Sequence, residues 1–131
     1  MKQTILVVED NPVNTELVKD ILFELGHSVV HSETGVDAMQ LARTHQPALI
    51  LMDIRLPRLS GIDVTKFIKA QDDLKHIPII ALTASAMKGD EEKILQGGCD
   101  DYIPKPIQVI EFINLISSYL DSEARGFCRL N

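Results

Sequence analysis

No apolar run in this chain approaches the ~20 residues that cross a bilayer, and no basic N-terminal region leads into an apolar stretch and a cleavage site. Neither a membrane span nor an export signal is expected. Cysteine is scarce: Cys99 and Cys128 are the 2 present, without CxxC or metal-ligand spacing. They read as reduced thiols, which together with the missing signal points to a cytoplasmic protein. Basic residues are outnumbered, with 13 Lys and Arg against 19 Asp and Glu for a net charge of −6. A nucleic-acid surface needs clustered Lys and Arg, so that class is not expected. His27, His31, His45 and His76 lack ligand spacing and read as surface or internally satisfied side chains. No linker, internal repeat or low-complexity block divides the chain. Its 131 residues, 45% of them apolar, suit one domain with one core and no staples.

What the sequence does have is a set of short apolar runs that end in polar residues. Ala48-Leu49-Ile50-Leu51-Met52 stops abruptly at Asp53. This run lacks the alternation of a surface helix and reads as a strand buried on both faces. An ionised Asp53 would be costly inside the core but is tolerable at the carboxyl edge of a parallel sheet. Ile5-Leu6-Val7-Val8 repeats the theme and ends in Glu9-Asp10. Ile77 to Leu82 is a third strong strand, ending at Thr83. Ser28 to Ser32 and Asp101-Tyr102-Ile103 are weaker ones.

Helices are expected between the strands. Asn11-Pro12 is an N-cap followed by proline at the first helical position, with Val13, Leu17, Ile21 and Leu25 as a stripe that Val18 and Leu22 widen. Gly26 is placed to stop that helix. Thr34 with Asp37 can cap a second helix, which Pro47 ends. Ser60 to Asp63 opens a third, with Val64, Phe67 and Ile68 inward. A weaker fourth runs from Ala86 to Gln96. The fifth starts near Ile107 and carries Val109, Phe112, Ile113, Ile116 and Leu120 at helical spacing. From Asp121 the period is lost, so residues 1–121 are read as the domain and 122–131 as a flexible tail.

Five strands alternating with five helices imply right-handed crossovers and a parallel sheet covered on both faces. The carboxyl ends of the strands then gather Glu9, Asp10, Asp53, Thr83 and Lys105 at one edge. Three carboxylates there repel one another unless a cation joins them. Hard oxygens without His or Cys suit Mg²⁺. Asp can accept a phosphoryl group as an acyl phosphate, while Lys105 and the Thr83 hydroxyl pair with its oxygens. Taken singly, each acid could be only part of an edge salt-bridge cluster. The combination of an acid pair, a lone acid, Thr and Lys-Pro at successive strand ends is far more specific.

These residues resemble the receiver domain of two-component response regulators over about residues 4 to 120. The likeness rests on Val7-Val8-Glu9-Asp10-Asn11, Leu51-Met52-Asp53-Ile54, Pro57-Arg58-Leu59-Ser60-Gly61, Ala81-Leu82-Thr83-Ala84 and Tyr102-Ile103-Pro104-Lys105-Pro106. Ala86 to Glu92 and Gly97-Gly98-Cys99 point toward single-domain regulators within that family. The resemblance implies a flavodoxin-like (βα)5 doubly wound fold with strand order 2-1-3-4-5, an arrangement for which receiver domains are a known example. It implies that Asp53 is the phosphoacceptor and that Glu9, Asp10, Asp53 and the Arg55 backbone carbonyl hold Mg²⁺. Thr83 and Lys105 would bind the phosphoryl group, with Ala84 and Ile54 also contributing. Thr83 and Tyr102 would form the switch, and the Lys105-Pro106 bond would be cis.

The implied partners are a sensor histidine kinase or histidine phosphotransfer protein, and a downstream protein on the helix 4, strand 5 and helix 5 face. A monomer or weak dimer is expected. No DNA-binding domain is expected after the fifth helix, so output would be through protein contact. Two other classes fit less well. An aspartyl-phosphate phosphatase of the haloacid dehalogenase type usually carries a second acid two residues after the nucleophile, where this chain has Arg55. A nucleotide-binding flavodoxin-like domain would need a glycine-rich loop after the first strand, and none is present.

Overall fold

The computed structural model describes residues 3–57, 59–84 and 88–124, with the backbone alone at 88–90 and 121–124. Five strands alternate with five helices: β1 (Thr4–Val8), α1 (Pro12–Glu24), β2 (Ser28–Ser32), α2 (Ala38–His45), β3 (Leu49–Asp53), α3 (Gly61–Lys69), β4 (Ile79–Thr83), α4 (Lys88–Gln96), β5 (Asp101–Pro104) and α5 (Val109–Ala124). All pairings are parallel and the order is β2-β1-β3-β4-β5. This is the doubly wound order expected above.

The central strands are apolar except at a terminal residue, because both of their faces are covered. β3 and β4 are buried at every position. Alternate side chains serve two separate cores. Leu6, Val8, Ile50, Met52, Ile79 and Ala81 meet α2, α3 and α4 through Ala42, Val64, Ile68 and Ile94. Ile5, Val7, Leu49, Leu51, Ile80 and Leu82 meet α1 and α5 through Val18, Leu22, Phe112 and Ile116. The period of two in each strand thus builds both layers at once.

Several helix details differ from the sequence reading. Asn11 caps α1, its Oδ1 accepting from Val13 N at 2.9 Å and Asn14 N at 3.2 Å, and Gly26 ends the segment at φ 87°. Yet Val13 is 74% exposed and Leu25 36% exposed, leaving Thr15, Val18, Ile21 and Leu22 as the buried face. A strict four-residue spacing drifts roughly 40° per step around a helix of 3.6 residues per turn, so its two ends rotate out. Phe67 likewise faces outward on α3, and Val109 is exposed at the first position of α5.

Thr34 does not cap α2. The turn is organised by Ser32, whose Oγ donates to Asp37 Oδ1 at 2.5 Å and accepts from Gly35 N at 3.1 Å, and the helix starts at Ala38. α5 starts at Val109 and continues past Asp121 to Ala124. Ala86, the expected start of the fourth helix, and residues 125–131 of the expected tail lie outside the described residues.

The loop after β3 folds back tightly on the strand. Gly61 N donates to Ile54 O at 2.9 Å, and Arg55 and Ser60 form an antiparallel bridge. A Cβ on Gly61 would sit 2.1 Å from the Asp53 carbonyl oxygen and 2.8 Å from Ile54 Cα. Glycine is required there by close backbone approach. Gly61→Ala is expected to destabilise the fold by at least the upper end of the about 1–3 kcal/mol typical of overpacking, because backbone rather than a flexible side chain must move. Urea unfolding measures this; a change below about 0.5 kcal/mol would contradict the close approach.

Candidate functional site

The site lies at the carboxyl edge of β1, β3, β4 and β5. β1 delivers Glu9, whose N–H is held by Ser32 O at 3.1 Å and whose side chain is fully buried. Asp10 follows at intermediate exposure. β3 delivers Asp53, 4% exposed. β4 ends in buried Thr83. The chain leaving β5 brings Lys105, whose N–H donates to Thr83 O at 2.7 Å, and the following bond to Pro106 is cis.

Glu9, Asp10 and Asp53 each offer a carboxylate oxygen within 4.8 Å of the others. Lys105 Nζ enters this group, 3.1 Å from Glu9 Oε2, 3.3 Å from Glu9 Oε1 and 3.4 Å from Asp53 Oδ1. It donates a hydrogen bond to Oε1, whereas Oε2 accepts none from the described residues despite the shorter distance. The ammonium thus provides charge at Oε2 without the alignment that would use its lone pair. Asn11 N adds a bond to Glu9 Oε1 at 3.1 Å, and Arg55 N donates to Asp53 Oδ1 at 3.0 Å.

One cation among three carboxylates leaves the cluster short of positive charge. The consequence shows at Asp53, whose carboxyl is raised above its ordinary range by burial first and by the Glu9 charge second. The Arg55 N–H and Lys105 oppose this without cancelling it. A buried carboxylate oxygen with no hydrogen-bond donor, beside two further oxygens, is the donor set of a hard divalent cation. The residues fit Mg²⁺.

Ala84 follows Thr83 and is exposed at the rim. Ile54 does not present its amide to the cluster: that N–H donates to Leu82 O at 3.1 Å, extending the β3–β4 ladder. The amide aimed at the Asp53 carboxylate belongs to Arg55.

Other contacts carry no sequence signal. His31 Nε2 lies 2.7 Å from Glu9 O, linking β2 to the strand end. The Tyr102 hydroxyl donates to the Glu91 carboxylate of α4, which holds the phenol above its usual range. A separate groove of about 710 Å³ between α1 and β2, lined by Phe23, His27 and Val29 among others, contains none of these residues.

A doubly wound parallel sheet with an acid triad, a lysine and a strand-end threonine at its carboxyl edge defines a phosphoacceptor class of site. The chain belongs to the response regulator receiver domain family, whose description it matches over residues 5–117. It is similar to the polar-differentiation response regulator DivK of Brucella anthropi, with 52% identity over 120 residues, 92% of this chain and 98% of that one. Among solved structures it is similar to the receiver domain of the sensor histidine kinase PA1611 from Pseudomonas aeruginosa PAO1, crystallised with a magnesium ion in its active-site cleft. That likeness has 41% identity and a TM-score of 0.85 over 93% of this chain and 100% of that one. A chain in the co-crystal of the Saccharomyces cerevisiae phosphotransfer protein Ypd1 with the Ssk1 receiver domain matches at 30% identity and TM-score 0.87, covering 94% and 92%.

The raised Asp53 carboxyl gives a pH prediction. The folded state holds this proton more tightly than the unfolded chain does. Metal-free protein therefore loses stability as pH rises from the ordinary carboxylate value through the folded value of Asp53, and the loss is complete above it. Asp53→Asn removes that loss, so its urea midpoint near neutral pH should exceed the wild type's, and the two should converge in acid. Equal midpoints at neutral pH would contradict the charge shortage.

Proposed function

We propose that the chain is a single-domain response regulator that accepts a phosphoryl group from a phosphohistidine on Asp53 and then changes its protein-binding surface. The observation that carries this is the buried Asp53 held between Lys105, the Arg55 amide and two further carboxylates. A carboxylate oxygen of Asp53 attacks phosphorus, forming an O–P bond as the P–N bond to the donor imidazole breaks; the imidazole leaves with the electron pair and takes a proton. The packed β3 and the Gly61 turn hold the nucleophile in place, so little ordering remains for the reaction.

Glu9, Asp10, Asp53 and the Arg55 carbonyl would hold Mg²⁺, which when bound neutralises charge on the transferred phosphoryl oxygens. Lys105 pairs with one of those oxygens, and the Thr83 hydroxyl and the Ala84 amide donate to others. The Arg55 amide takes the role first assigned to Ile54. Water later hydrolyses the acyl phosphate and resets the domain, so the chain acts on itself and not on a separate substrate.

Switching follows from the same contacts. Thr83 drawn toward the phosphoryl group leaves room for Tyr102, and the surface of α4, β5 and α5 shifts between two packed states. The donor is a sensor histidine kinase or histidine phosphotransfer protein, a reading supported by the receiver domain in the Ypd1 and Ssk1 co-crystal. A cytoplasmic setting suits such partners; no helix among the described residues is long and apolar enough to cross a membrane. Likeness to a polar-differentiation regulator supports a role in cell-cycle or developmental control.

Incubation with Mg²⁺ and a small acyl-phosphate donor, followed by intact mass measurement, tests the reading. One phosphate adduct is expected on the wild type and none on Asp53→Asn. An adduct of equal yield on Asp53→Asn, or multiple turnover of a small phosphomonoester, would overturn it.

A further inference from the structure

Glu91 lies in the early part of α4, and its carboxylate accepts the hydrogen bond of the Tyr102 hydroxyl. Both residues are half-buried. Tyr102 pairs with Ala81 in the β4–β5 register and Thr83 pairs with Pro104, so Tyr102 stands on the same face of the sheet as Thr83, one alternation earlier. That face packs against α4 through Ile94, the one buried apolar side chain among the described side chains of that helix. Among the described side chains, Ile94 and the phenol–carboxylate bond of Tyr102 with Glu91 tie α4 to this face.

The neighbouring acid is not a substitute. Asp101 Oδ1 accepts from Tyr102 N at 2.8 Å, and its Oδ2 lies 3.5 Å from the Tyr119 hydroxyl. Among the described residues, the acceptor for the Tyr102 hydroxyl is Glu91. A hydrogen bond to an ionised carboxylate is stronger than one between neutral groups. A Tyr102 rotamer that carries the hydroxyl out of reach of Glu91 loses that bond, so the bond favours the arrangement in which it is made.

We propose that Glu91 is a positioning residue that holds Tyr102 against α4 and thereby sets the fraction of unphosphorylated protein already in the switched state. This rests on the reading of Thr83 and Tyr102 as a coupled pair. A contact made in one of two states shifts their ratio by its own differential strength, and phosphorylation that selects the switched state speeds up with that fraction. Loss of the Glu91 acceptor is expected to raise the switched fraction and the rate of adduct formation together, by about tenfold.

The chain has 2 tyrosines, so 3-fluorotyrosine labelling gives two ¹⁹F resonances, and Tyr119→Phe assigns them. In unphosphorylated protein, Glu91→Ala should move the Tyr102 resonance toward its position in acyl-phosphate-treated wild type. Glu91→Gln, which keeps a side-chain carbonyl acceptor, should move it less. Glu91→Ala should accelerate adduct formation about tenfold, and should add no acceleration in a Tyr102→Phe background. A Tyr102 resonance unmoved by Glu91→Ala, or equal acceleration in both backgrounds, overturns the proposal. Wild type that forms no adduct would instead defeat the phosphoacceptor reading. The latch is then judged by urea midpoints alone: non-additive effects of Glu91→Ala and Tyr102→Phe support it, and additive effects overturn it.

Discussion

Everything at the working edge depends on a deliberate shortage of positive charge. Glu9 and Asp53 are taken almost completely out of water with Asp10 beside them, and Lys105 is the only ammonium that reaches them among the described residues. Burial of unpaired carboxylates opposes folding. That cost is opposed by β1, β3 and β4, which bury apolar side chains on both faces. A fully paired cluster would be a better structural element and a worse ligand site.

The two cores make this arrangement possible in a chain of 131 residues. Each central strand contributes alternate side chains to opposite layers, so five residues secure a strand on both sides. Position then follows from the ends. Asp53 closes a strand that has no freedom to shift register, and the return of Gly61 against the Asp53 carbonyl fixes the loop that supplies the Arg55 amide. The Lys105 N–H donates to the Thr83 carbonyl, so the ends of β4 and β5 are tied together beside Asp53. On the α4 side of the same edge, the Tyr102 hydroxyl donates to Glu91.

Much of this was legible in the residues. Uninterrupted apolar runs announced β1, β3 and β4, and their terminal acids, Thr83 and Lys105 announced a shared edge once the alternation of elements implied a parallel sheet. Strand order was different: alternation leaves it open, and only the family likeness supplied it. Backbone direction was also hidden. Ile54 directly follows Asp53 and looked available, but the β3–β4 ladder runs one residue further and uses its amide, leaving Arg55. Ser32 rather than Thr34 organises the turn into α2 because the strand holds Ser32 beneath the loop. The contacts of His31 with Glu9 and of Glu91 with Tyr102 join residues that no spacing rule relates.

The central claim is that the cluster of Glu9, Asp10 and Asp53 is built for one divalent cation. Thermal unfolding across a Mg²⁺ titration tests it most directly, because a ligand that binds only the folded state stabilises it by an amount set by its concentration over its dissociation constant. The account predicts a melting temperature that climbs with Mg²⁺ in the wild type and stays flat in Asp10→Asn. A wild-type melting temperature indifferent to Mg²⁺, or an equal climb in Asp10→Asn, would contradict it.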